Sequence, residues 1–106
     1  MTMAKLVEAL EATGYAFAHH AWSDAPAGDY GTYQEYSGAD LMADDVHAER
    51  GTICYVSYFT RDDTATPRTT IENALNGLRI PWILNTIQYE NDTGYIHYEW
   101  ELGLYG

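Results

Sequence analysis

Cysteine is nearly missing from this chain. Cys54 stands alone, so an intrachain disulfide is impossible and a cysteine-rich zinc site is excluded. Basic residues are almost as scarce, with five Lys and Arg against sixteen Asp and Glu and a net charge of −11. A surface of that sign repels phosphate and argues against a nucleic-acid-binding groove. It suits a protein that imitates a nucleic acid, one that lets a nucleic acid pass without sticking, or one whose acids only keep it dissolved. Long apolar runs are missing too. No stretch approaches membrane-spanning length and no basic-then-apolar leader opens the chain, so a soluble protein, intracellular where it is made, is expected, without a membrane partner. Asn91 opens an "NDT" glycosylation acceptor, which carries little weight without a secretory signal.

What is present suffices for one α+β domain spanning residues 1–106. Apolar residues make up 46% of the chain and ten tyrosines are included, enough for a real core. A chain this short hides only about two-thirds of its unfolded surface, and association with copies of itself would relieve that deficit.

Residues 2–13 read as a helix, with Met3, Leu6, Val7 and Leu10 on one stripe and Gly14 as its stop. "YAFAHHAW" reads as a strand and "SDAPAGD" as a turn-rich connection. "YGTYQEYS" is a second strand with Tyr30, Thr32, Gln34 and Tyr36 on one face and Tyr33 and Glu35 on the other. Residues 37–51 read as a long loop with a helical turn near Ala43 to Ala48, of the kind that serves binding. "TICYVSYFT" is the central strand. A second helix starts at Thr66 as cap with Pro67 in the first turn, Thr69 and Glu72 offering a second cap-like pair, and buries Ile71, Ala74, Leu75 and Leu78. "IPWILNTIQYE" and "YIHYEWELGLY" flank "NDTG" as a hairpin, its second arm packing Ile96, Tyr98, Trp100, Leu102 and Leu104 and wetting Tyr95, His97, Glu99 and Glu101. The order is α-β-β-β-α-β-β, a mostly antiparallel mixed sheet with both helices on one face.

Chemistry-bearing constellations are sparse. His19 and His20 are adjacent, and strand alternation sends them to opposite faces, where they cannot share an ion. His47, with Asp44, Asp45 and Glu49, offers at most weak oxygen ligation of a hard cation and lacks the calcium-loop pattern; a solvated acidic loop is the preferred reading. Cys54 sits in an apolar strand with nothing basic beside it, and Ser23, Ser37 and Ser57 occupy no nucleophile elbow. The carboxylates cluster in polar stretches and so read as ionised rather than as a paired acid and base. "GDYG" is no phosphate loop. Tyr30, Tyr33, Tyr36, Tyr55 and Tyr58 lack the basic neighbours of a base-stacking platform and read as core and interface; Trp22, Trp82 and Trp100 read as core. No catalytic, metal or cofactor residue is assigned.

Three phrases, "FTRDDTATPRTTIENAL", "IPWILNTIQYENDTGYIHYEWEL" and "SGADLMADD", resemble tail-completion or tail-terminator proteins of the head–tail neck of long-tailed phages and prophages, with similarity running from Leu6 to Tyr105. The resemblance implies a non-enzymatic α+β virion subunit, assembled in the bacterial host's cytoplasm, that forms a sixfold ring on the tail tube. The partners it implies are further copies of the chain, the tube protein and a head-closure or connector protein, with DNA passing through the bore unbound. A neighbouring neck protein such as a head-closure protein, an acidic DNA mimic, and a small enzyme using His47 and Asp45 stay open beside it. The assembly or lumen residues expected are Tyr33, Tyr36, Asp40, Asp44, Asp45 and Glu49, within or beside the long loop.

Overall fold

A computed structural model describes residues 2–20, 28–36 and 52–104. The elements run α1 (Met3–Ala12), β1 (Phe17–His19), β2 (Tyr30–Tyr36), β3 (Thr52–Thr60), α2 (Thr66–Leu78), β4 (Trp82–Tyr89) and β5 (Ile96–Leu104). This is the α+β order read from the sequence.

Helix α1 forms because its start, stripe and stop agree. The Thr2 hydroxyl accepts the Lys5 N–H at 3.3 Å, Leu6 and Leu10 are fully buried one turn apart, and Gly14 takes φ +85° just past the end. Helix α2 departs from expectation at its cap. Thr66 is its first residue and Ala65 its uncapped N-cap. The side-chain bonds lie upstream instead, where Asp62 accepts the Thr64 N–H at 2.9 Å and the Thr64 hydroxyl at 2.6 Å. Glu72 does not cap either. Its Oε2 accepts the indole N–H of Trp100 at 2.9 Å and the Arg68 Nε–H at 3.0 Å. A fully buried Trp100 needs an acceptor for that N–H more than the helix start needs a second cap.

The sheet order is β1-β2-β3-β5-β4, parallel between β1 and β2 and antiparallel elsewhere. Strand β3 is central as its composition predicts. Its alternate residues Cys54, Val56, Tyr58 and Thr60 are buried on the helix side, with Tyr98, Trp100, Leu102 and Leu104 of β5 beside them. Leu6, Leu10, Ile71 and Leu75 close this layer from the helices. Each such aliphatic side chain contributes about 1.5–3 kcal/mol relative to exposure.

Strand β2 needs a glycine where it passes β1. A Cβ at Gly31 would run into the ring of Phe17 and come within 2.9 Å of the Ser57 carbonyl. Gly31→Ala should therefore lose about 1–3 kcal/mol by overpacking, read as a lower denaturant midpoint at unchanged slope.

Candidate functional site

Strand β4 forms one edge of the sheet and is the part of the described surface least like an ordinary edge. Between Trp82 and Tyr89 it carries no charged residue and no proline, in a chain of net charge −11. Sheet edges are commonly protected by charge, proline or bulges, because unpaired N–H and C=O groups invite another strand. One such device is present, an irregularity between Leu84 and Thr86. It also resets the faces. Trp82 and Leu84 pair with Leu102 and Trp100 and pack on the core, but past the bulge Ile87 and Tyr89 take the helix-side positions opposite Tyr98 and Ile96. The helices do not cover them there. Ile87 is 52% exposed and Tyr89 64%, and Ile83 on the other face is 57% exposed. A shallow cleft of about 170 Å³ adjoins the strand's start, lined by Ile53, Pro81, Trp82, Ile83, Glu101, Leu102 and Gly103.

The sheet face away from the helices carries an aromatic row. Tyr30 stacks on Phe59 at 4.8 Å, Phe59 stacks on His97 at 4.2 Å, and Tyr95 meets Tyr30 edge-on at 5.7 Å with Arg61 4.1 Å above its ring. His97 and Tyr95 are thus less wet than alternation implies. Tyr95 is buried, and His97 Nε2 is buried without a hydrogen-bond partner among the described residues. Burial holds the His97 imidazole below its ordinary 6.5, opposed by Glu99 and Glu90, which favour the charged form. The unfolded chain therefore binds more protons than the folded one between the lowered value and 6.5. His97 costs no stability well above 6.5 and progressively more as the pH falls through that value. Urea titrations of wild type and His97→Phe should differ in slope across this window, the variant losing less stability on acidification.

At the opposite edge, β1 and β2 bring three metal-ligating side chains together. In the register, His19 lies beside Tyr33, and Glu35 is two residues further along β2 on the same face. His19 Nε2 lies 2.6 Å from Glu35 Oε1, and the ring stacks on Tyr33 at 5.1 Å. The hydrogen bond from His19 and the charges of both histidines lower the Glu35 carboxyl against slight burial. The expectation that His20 faces away is overturned. His20 has φ +68°, its N–H donates to the Tyr33 carbonyl at 2.7 Å, and its ring stacks on His19 at 3.9 Å. Alternation applies to extended residues, and a left-handed residue ending the strand escapes it. The donor atoms of His19, His20 and Glu35 all lie within 4.8 Å of one another. Such a set can pass a proton between imidazole and carboxylate or ligate a cation.

Of the residues singled out in the sequence, Tyr33 is half-buried, packed against the core and stacked on His19. Tyr36 ends β2 opposite Ile53. Asp40, Asp44, Asp45 and Glu49, with His47 and the rest of residues 37–51, lie outside the described residues, as does Trp22. Cys54 is fully buried and its thiol is pushed up to about 12 by burial, which leaves it unreactive at neutral pH. Among the described residues no helix is long and apolar enough to cross a membrane.

No protein-family model matches the sequence and no curated protein matches it. A crystal structure from Akkermansia muciniphila is similar at 12% identity and a TM-score of 0.43, the match covering 95% of this chain and 48% of that one. The chain thus spans about half the length of that protein.

Proposed function

We propose that this chain is a non-catalytic structural subunit that works by pairing edge to edge with further copies of itself, in the head–tail neck ring to which the sequence phrases point. The observation that supports pairing is β4: an uncharged edge with Ile83, Ile87 and Tyr89 exposed along it. Two copies of net charge −11 repel over most approaches, and the repulsion is least where the meeting strands carry no charge. Backbone hydrogen bonds then supply affinity and the exposed side chains supply register. A two-fold contact of β4 with β4 stops at a dimer, whereas a head-to-tail contact can close a ring. The neck setting requires the second. Carboxylates that face its bore, some of Asp40, Asp44, Asp45 and Glu49 among them, would repel DNA phosphate and leave it free to move.

Electron microscopy of phage particles made without this chain tests the setting. Tails of uncontrolled length, separate from filled heads, are the expected result. Heads that leak DNA would transfer the role to a closure protein, and intact particles would end the neck reading. Light scattering of the purified chain separates the two parts of the proposal. A dimer at every concentration would remove the ring but keep the edge contact; a monomer at every concentration would remove both.

A further inference from the structure

We propose that His19, His20 and Glu35 form a binding site for a divalent transition-metal ion of the zinc type. The three donors come from the end of β1 and from β2, and their atoms already lie within 4.8 Å of one another. Zinc bound at about 2.0–2.2 Å from nitrogen and oxygen separates tetrahedral ligands by ~3.4 Å. His19 Nε2 and Glu35 Oε1, at 2.6 Å, would move apart slightly and the remaining donor would draw in. Rotation about side-chain bonds is enough for both, since His19 and His20 are exposed and Glu35 only half-buried.

An ordinary ion pair accounts for His19 and Glu35 but leaves His20 unexplained. In an extended strand His20 would face away, and a residue other than glycine seldom takes φ +68°. That conformation brings its ring to 3.9 Å from that of His19 and a ring nitrogen to within 4.8 Å of the Glu35 carboxylate. Tyr33, stacked on His19 at an interplanar angle of 18°, limits the swing of the first ligand. Two imidazoles and one carboxylate suit zinc, nickel or copper, whereas calcium and magnesium require mainly oxygen donors. Three protein ligands leave a coordination position for water or for a donor from another molecule.

Calorimetric titration of the metal-free chain with zinc chloride tests this, with calcium chloride as comparator and melting curves recorded for each variant. The expected result is one zinc ion per chain, no calcium binding in the same range, and affinity at least tenfold weaker in His20→Ala and in Glu35→Gln. Zinc should raise the melting temperature of wild type more than that of either variant. Zinc binding unchanged in both variants would place the ion elsewhere and overturn the proposal. So would loss in Glu35→Gln alone, which reduces the site to the His19 pair, or failure of wild type to bind zinc.

Discussion

Trp100→Ala is expected to cost about 3–5 kcal/mol, a large fraction of the stability of a domain this size. Among the described residues Trp100 is the largest fully buried side chain, lying in β5 between β3 and β4 and beneath α2. It contacts Tyr98, stacked at 5.7 Å, and its N–H occupies Glu72. Truncation leaves a cavity that Val56 and Leu84, its neighbours across the two ladders, cannot fill, since both are fixed by strand register. Trp100→Phe separates the two contributions. It keeps most of the apolar contact but removes the indole donor, while Glu72 retains Arg68 as partner, so a smaller loss of about 1–3 kcal/mol should follow. Equilibrium urea unfolding followed by far-ultraviolet circular dichroism measures both. Equal losses in the two variants would mean that the hydrogen bond, not the packing, holds this part of the core.

Ile87→Lys combined with Tyr89→Lys should abolish self-association while leaving the monomer folded. Both residues are more than half exposed, and surface substitutions of this kind usually stay within about 0.5 kcal/mol of neutral. Lysines buried in an edge contact in place of two apolar side chains cost a few kcal/mol in desolvation and lost apolar burial, which corresponds to roughly a hundredfold weaker association. The sign of the substitution makes the result diagnostic. Two lysines lower the net charge from −11 to −9 (−11 plus 2), which weakens general repulsion between copies. A loss of assembly must then come from the edge itself. Glu8→Lys, on an exposed position of α1, is the control and should leave association intact or strengthen it. Sedimentation velocity across a concentration series would register the difference.

Much of the fold was legible because it is periodic. The Leu6 and Leu10 stripe, the alternation from Ile96 to Leu104 and the "NDTG" turn each specify an element by local rules, and the structure keeps all three. The apolar content of "TICYVSYFT" likewise marked β3 as central, with β2 and β5 on its two sides. What escaped depends on single backbone angles and on register. "YAFAHHAW" looks like one long strand, yet β1 spans only Phe17–His19 because His20 turns left-handed. That same angle joins two histidines that alternation separates. Glu35 meets His19 across sixteen residues of sequence, through a parallel pairing that no local pattern announces. The bulge after Leu84 decides that Ile87 and Tyr89 face the helix side beyond the helices' reach. The clue to β4 was nevertheless present in the letters, since "WILNTIQY" is a charge-free stretch of a highly acidic chain. Its meaning emerged only with the sheet order, which puts that stretch at an edge.

Hydrogen exchange along β4, at low and high protein concentration, tests edge pairing most directly. An isolated chain leaves the outward N–H groups of Thr86 to Tyr89 open to water, and pairing with another copy removes them from it. Edge pairing predicts fast exchange for these amides in dilute protein and marked protection when the chain is concentrated, with β3 unchanged. Equal exchange of the β4 amides at both concentrations, in a sample that scattering shows to be assembled, would contradict it.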